Sequence, residues 1–370
     1  MPSHTRNEPR ARRGFTLIEL AAVIALGSVV MAQLMPISKR ARNTTRGVGS
    51  AVNLMQIGQA AGMYGVDNAD RIPSYTVGLD AGTMAINYTL PDGNTIRIRS
   101  DDDGSSAQIT EILQRRTGRI DGDFAITHED SRLPQRRFTN LIIQDYLGSP
   151  LFDEVFIDPA DASLIEWSSS PFDYGVGSSV PYANVTTPDP GYDDDANWLR
   201  EGIRQRWAFG SSYQAAPAAW QPDGIGVSSY VPVADTPHLF TINRVGSGVG
   251  QVELSDGRRF AEVRYPANKV YQFEEHDREQ AGEPYFAYDH ARPEKLMFDG
   301  SVNSLASGEA GPSWNVVEGK VKWRQTYVPL DTFPVPLGGL GDDTLLSQRY
   351  RWTLGGLRGV DYATHFSTSR

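Results

Sequence analysis

The chain has 370 residues, 39% hydrophobic and 22% charged, a balance that fits a folded protein with a core and excludes a wholly disordered one. Its net charge is −10, but residues 1–46 hold eight Lys/Arg and two Glu, so they carry +6 and the remainder −16. The acidic body argues against nucleic acid as a partner, and the absence of cysteine excludes disulfides, thiolate metal sites and a catalytic thiol.

The first element is the stretch RRGFTLIELAAVIALGSVVMAQLMP, residues 12–36. Phe15 to Met35 is 21 residues, enough at about 1.5 Å per residue to cross a hydrocarbon core of about 30 Å. Arg6, Arg10, Arg12 and Arg13 precede it, and Lys39, Arg40, Arg42 and Arg46 follow it. The flanks tie, so charge does not orient the helix. A plain signal anchor fits this pattern, and so does a secretory signal cut after Ala32, although Glu19 interrupts the part that should be most apolar. An ionisable group in lipid costs about 2.5–3.5 kcal/mol, so Glu19 needs either the nearby headgroups or a cationic partner.

RRGFTLIEL resembles the leader junction of type IV prepilins and type II secretion pseudopilins. The resemblance implies that a prepilin peptidase removes residues 1–14, in which Arg12 and Arg13 are the basic residues before the cut. Cleavage falls between Gly14 and Phe15, and Phe15 becomes the N-methylated terminus. Glu19 is then the fifth residue of the mature chain, where the family keeps a glutamate, and Pro36 the twenty-second, where many members have a helix-bending proline. In a bundle of such helices the new amine of one subunit meets the Glu19 carboxylate of its neighbour. That pairing would fix axial register as a lone buried polar group does in coiled coils.

Beyond Pro36 the pattern stays helical. Val48, Val52 and Met55, then Leu54, Ile57, Ala61 and Tyr64, recur at three- and four-residue spacing until DNADRIP, residues 67–73, stops the helix. Gly58 and Gly62 either allow a close approach on one face or merely weaken the helix. The stretch NLMQIGQAAGMYGVDNADRIP resembles a segment of large pilin-like proteins that often carry, near the C-terminus, a His, nine residues and Asp-Gly. Here His290 precedes Asp299-Gly300 with eight residues between, one short of that pattern.

After residue 73 the chain reads as strands and turns, in keeping with its 36 Gly, 23 Pro and 16 Tyr. Three hairpins are expected where Asp-Gly lies between alternating apolar positions. They are Met84–Leu90 with Ile96 and Ile98 around PDGN, Val252–Leu254 with Val263 and Tyr265 around SDGR, and Leu296–Phe298 with Val302 around Asp299-Gly300. Residues 105–120 and 132–147 can each hold a helix. Residues 168–195 are the candidate long loop or interdomain linker.

Little advertises chemistry. The six histidines include no HExxH pair, GxSxG is absent, and the glycine-rich GVGSS and GSGVG lack a phosphate-loop lysine. EEHDRE, residues 274–279, could catch a metal but reads as a solvated charged surface. DDDG, residues 101–104, fails as a calcium loop because Arg99 and Thr110 stand at the first and last ligand positions. Asp193, Asp194 and Asp195, or Asp342 and Asp343, could contribute to an irregular calcium site of the sort some major pseudopilins have.

The expectation is an α+β, pilin-like chain. A long helix over residues 15–70, membrane-spanning over 15–36, packs on a β-rich antiparallel head of residues 71–370, with 168–195 as its candidate division. The expected role is structural and not enzymatic: a subunit of a type IV pilus or type II secretion pseudopilus. Such a subunit would sit in the inner membrane with its head periplasmic or extracellular. Its partners would be a prepilin peptidase, other pilin or pseudopilin subunits and membrane lipid, with no cofactor. The rival expectation is a monomeric anchored binding or enzymatic domain that uses the leader only for export.

Overall fold

The computed structural model describes residues 17–76, 85–99, 101–122, 125–126, 138–148, 153–169, 209–220, 227–233, 236–244, 257–280, 284–311, 314–315, 320–321, 325–326, 345–346, 349–353 and 355–363. The chain divides into two compact units, Met1–Thr45 and Arg46–Arg370. Helix α1, Leu17–Asp67, runs through both, with Pro36 inside it. A proline there has no N–H for the carbonyl four residues earlier, so the helix continues with one ladder bond fewer.

From Leu17 to Ile37 α1 is exposed throughout and carries apolar residues on every side, with Glu19 as its one charged residue. Ser28 returns its hydroxyl proton to the Ile24 carbonyl at 2.8 Å, which lowers the cost of a polar group in that run. Among the described residues this is the helix long and apolar enough to cross a membrane, with a mean hydropathy of 2.1 in its best window.

In the second unit α1 becomes amphipathic. Leu54, Ile57, Ala60 and Ala61 are fully buried and join a core with Ile72, Ile109, Leu113, Leu141, Phe156, Tyr271, Leu296 and Phe298. The helix ends at Asp67 because Ala69 and Asp70 adopt positive φ, 54° and 66°. The Asp70 N–H then returns to the Gly65 carbonyl at 2.7 Å, satisfying one of the last free carbonyls.

Strands β1 (Ile86–Thr89) and β2 (Thr95–Ile98) form the first expected hairpin, in the register Ile86↔Ile98. Its turn holds Gly93 at φ +84°, and the Asp92 carboxylate accepts from the Asn94 N–H and the Gln114 side chain. Gln114 belongs to α2, Asp101–Thr117, which begins on the DDDG stretch. Helices α3 (Asn140–Ile143) and α4 (Ala162–Ser169) are short, and a 3-10 turn over Gln144–Leu147 continues α3. The part of the expected 132–147 helix before residue 138, and residues 170–195 of the candidate linker, lie outside the described residues.

The central sheet is antiparallel, in the order β3–β6–β7–β8: β3 (Tyr213–Ala215), β6 (Val270–Glu274), β7 (Lys295–Met297) and β8 (Val302–Asn303). Strand β6 is buried along its whole length. It pairs Tyr213↔Glu274 on one side and Phe273↔Lys295 on the other. Between β3 and β6 in the chain, β4 (Val227–Val233) and β5 (Thr236–Arg244) pair as a separate antiparallel hairpin. After β8, two-residue pairs link β9 (Trp314–Asn315) with β10 (Lys320–Val321), and β11 (Gln325–Thr326) with β12 (Leu345–Leu346). A second core of Phe273, Tyr285, Phe286, Met297, Tyr350 and Tyr362 packs aromatic rings edge to face or tilted, with Phe273 and Tyr350 centroids 4.8 Å apart.

The third expected hairpin forms, with Gly300 at φ +84° between β7 and β8. The second is corrected. Residues 252–256 lie outside the described set, and after Gly257 the chain makes a 3-10 turn, Phe260–Glu262, where a returning strand was expected. The reason is local bonding. The Phe260 N–H reaches the Asp70 carbonyl, the Ala261 N–H reaches the Asp70 carboxylate, and Glu262 accepts from the Arg259 N–H. Pro266 then removes a donor that a strand would need.

Candidate functional site

Of the residues singled out at the N-terminus, Arg12, Arg13, Gly14 and Phe15 lie outside the described residues. Glu19 and Pro36 lie within α1. Glu19 is exposed in the first turn, where an acid complements the helix dipole. Its neighbours Leu17, Ile18, Leu20, Val23 and Ile24 are each at least half exposed, so an apolar medium or partner must cover this face.

The same demand continues in the second unit. No Asp, Glu, Lys or Arg lies between Arg46 and Asp67. One side of this stretch is buried in the core, yet Val48, Val52, Met55, Met63 and Val66 stand on the opposite side at 61%, 44%, 47%, 45% and 85% exposure. Spaced by four, three, eight and three residues, with the uncharged Gln59 in the longest gap, they make a stripe of the kind that packs against another helix. Beside its far end, Gly58, Gly62 and Gly65 form one wall of an open groove of about 670 Å³, faced by Phe260, Phe298 and Gly300.

The two glycines of the sequence pattern differ. A Cβ on Gly58 would stand 2.9 Å from Leu296 Cδ1, whereas one on Gly62 would meet nothing within 4 Å. Close approach is thus real at Gly58, to a side chain of the head. Asp299 serves the turn: its carboxylate accepts from the N–H and the hydroxyl of Ser301. His290 is exposed, with its ring 5.7 Å from that of Tyr288.

The reading of EEHDRE as a solvated surface is corrected. Glu274, His276 and Asp277 are buried, at 0%, 3% and 4% exposure: Glu274 ends the central strand β6, and the residues after it pair with the segment around Tyr285, His276 by a bridge to Tyr285 and Asp277 by its N–H to the Pro284 carbonyl. The metal reading gains nothing, since the described residues contain no group of three or more His, Cys, Asp or Glu arranged to hold an ion. The acids named for calcium, Asp193, Asp194, Asp195, Asp342 and Asp343, lie outside the described residues.

Glu274 faces α1. Its carboxylate accepts from the Ser50 hydroxyl and from the Glu294 N–H at 3.2 Å, leaving the Tyr213 hydroxyl to donate to Ser50 at 3.0 Å. The Asn53 amide reaches the Ile157 carbonyl at 3.0 Å. Asp158 is also at 0% exposure, and its carboxylate accepts from the Ala160 N–H at 2.6 Å. Arg278 divides its guanidinium between Asp158 at 3.4 Å and Asp161 at 3.0 Å. Burial pushes the Glu274 carboxyl well above its usual range, and the Asp158 and Glu279 carboxylates push it further. Asp158 is raised by the same burial, against the pull of Arg278, and Glu279 is pushed up to about 7. Within this cluster the sequence marked only EEHDRE, because its other members, Ser50, Asn53, Asp158, Asp161 and Tyr213, come from separate stretches of the chain.

The prokaryotic N-terminal methylation motif matches residues 9–32, which span the Gly14-Phe15 junction and Glu19. No curated protein and no solved structure matches the chain. The matched segment leads directly into an exposed apolar helix that single-pass membrane anchoring requires, and antiparallel sheets follow it. The N-terminal segment is that of a type IV prepilin- or pseudopilin-like protein, and the helix it opens is long and apolar enough to anchor a chain in a membrane.

Proposed function

We propose that the chain is a structural subunit of a pilus-type filament, either a type IV pilus or a type II secretion pseudopilus. A prepilin peptidase removes residues 1–14, and the head lies on the extracytoplasmic side. Assembly proceeds by burial of α1 against the helices of neighbouring subunits. Glu19 takes the methylated Phe15 amine of a neighbour as its counter-ion, which sets the axial step. The role is one of assembly and presentation and involves no catalytic step.

The observation that carries this reading is the uncharged outer stripe of α1. A helix that only tethered a monomeric domain would gain from Lys or Glu at Val52 or Val66, since charge there costs nothing in water and prevents association. Between helices in lipid or in a filament core, apolar and small residues pack closely and a charge would be left unpaired.

Mass spectrometry of the mature N-terminus should find methylated Phe15. A start at Gln33 or an uncut Met1 would exclude the prepilin route. Because the chain has no cysteine, Val52→Cys gives an unambiguous crosslinking probe. In membranes or sheared filaments it should crosslink to a second copy or to another pilin-type helix. A chain that stays monomeric in both preparations is an anchored domain.

A further inference from the structure

We propose that Lys39, Arg40, Arg42 and Arg46 form a basic collar on α1 that binds the phosphates of anionic lipid headgroups. The four cations lie within eight residues, just after the apolar run that ends at Met35. Lys39, Arg40 and Arg42 are exposed, and Arg46 is half-buried. Lys39, Arg42 and Arg46 follow one another at three- and four-residue spacing, so they share one side of the helix, and Arg40 widens the patch.

Among the described residues nothing neutralises this charge. No Asp or Glu lies between Glu19 and Asp67, so α1 offers no carboxylate three or four residues away. No described carboxylate oxygen stands within 4.0 Å of any of the four cations. Glu279 and Glu294 face the adjacent Gly47, where a Cβ would stand 3.4 Å from Glu279 Cγ and 4.0 Å from Glu294 Oε1. Burial raises both of these carboxyls, Glu279 to about 7, and neither pairs with Arg46. Thr44 and Thr45 donate their hydroxyls to the Arg40 and Ala41 carbonyls at 3.0 Å each, so those donors are spent within the helix.

Position selects the ligand. With Met35 at the edge of the hydrocarbon, Lys39 stands about 6 Å further along the axis and Arg42 about 10 Å, against a headgroup layer of about 5–8 Å. Helical side chains lean toward the N-terminus, here the bilayer, and long cationic ones reach back to the interface. Lys39, Arg40 and Arg42 thus meet lipid phosphate directly. Arg46, about 16 Å out, adds attraction across a screening length of about 8–10 Å. Three of the four are arginines, whose guanidinium grips phosphate through two parallel bonds. Under the proposed orientation these cations also lie on the side of the membrane where the usual bias disfavours them, which calls for a ligand there. The competing occupant, the acidic head of a second copy, would have to descend to a surface that lipid phosphate already fills. The proposal rests on insertion of α1 in a membrane and does not depend on filaments.

The test places one full-length chain in each nanodisc, with spin-labelled phosphatidylglycerol or phosphatidylcholine as the probe. The motionally restricted fraction should be at least about threefold larger for phosphatidylglycerol. It should fall to parity at about 1 M salt, where the screening length is about 3 Å. Replacing all four cations by glutamine (Lys39→Gln, Arg40→Gln, Arg42→Gln and Arg46→Gln) should abolish the preference, whereas Lys39→Arg should keep it. A quadruple variant that retains the preference overturns the proposal. So does its loss to inorganic phosphate at constant ionic strength, which would mark a discrete phosphate site, or its appearance only where two chains share a disc, which would mark a subunit contact. Equal restriction of the two lipids by the inserted wild type overturns it even if the variant fails to insert. A wild type that stays out of the disc overturns the membrane anchoring itself.

Discussion

At Gly58 a methyl group would sit 2.9 Å from Leu296 Cδ1, and Leu296 is fully buried, so it has little room to turn away. Alanine gains about 1 kcal/mol of helix propensity over glycine, whereas overpacking a core costs about 1–3 kcal/mol. Gly58→Ala should therefore lower stability by about 1 kcal/mol. At Gly62 nothing opposes the propensity gain, so Gly62→Ala should raise stability by about 0.5–1 kcal/mol. Paired thermal denaturation of the two variants separates these signs. At Gly300, φ is +84°, and Gly300→Ala should cost about 1–2 kcal/mol in the same assay without altering α1. The turn at Gly300 was legible in sequence because its meaning is local, an Asp-Gly pair between alternating apolar positions; Gly58 and Gly62 were left open, since only the distant Leu296 tells them apart. Glu274 was not. Its burial comes with the central sheet and with Ser50 of α1, which the chain brings to it from afar, and a run of charges ordinarily means solvent.

Strand β6 is the element on which the head turns, and buried charge marks both of its ends. Glu274, fully buried, accepts from Ser50 of α1 at one end, and at the other Lys269, also fully buried, donates to Asp361 at 3.2 Å and to Thr353 at 2.5 Å. Asp361 also accepts from the Val270 N–H at 2.9 Å, which ties the strand's first residue to the same carboxylate. Asp361→Ala takes the carboxylate away from a buried ammonium and should cost about 3–5 kcal/mol. Lys269→Met with Asp361→Leu should recover much of that loss, a difference readable in denaturant midpoints. The hairpins at 86–98 and 295–303 matched their alternation because both strands of each pair lie close in sequence. The expected hairpin around SDGR failed because Asp70, far away in sequence, captures the backbone donors of Phe260 and Ala261. Period-two spacing at Val263 and Tyr265 could not reveal that competitor.

For the whole molecule, the N-terminal segment told most of what the sequence had to tell. Membrane anchoring and prepilin-like character rest on a contiguous stretch that needs no tertiary contact to be read. The head gave up its class, α+β with antiparallel pairing, but not its strand order, because β3 and β6 are neighbours in the sheet with β4 and β5 between them in the chain. Under the assembly reading, Glu19→Gln should leave the head's thermal midpoint unchanged while reducing filament yield at least tenfold. Such a loss corresponds to about 1.4 kcal/mol per subunit, within the range of one desolvated ion pair. Undiminished filaments from that variant would remove the electrostatic basis for register.

The bond between Lys269 and Asp361 also sets a clock. The two residues are 92 positions apart, and at about 5–20 residues per second the ribosome takes on the order of 5–20 s to supply the second after the first. Through that interval the middle strand cannot bury its ammonium, so a half-made head stays open to chaperones and proteases alike. Slowing synthesis across residues 270–360 should lengthen this vulnerable period and lower the yield of intact protein, with no change in the finished fold.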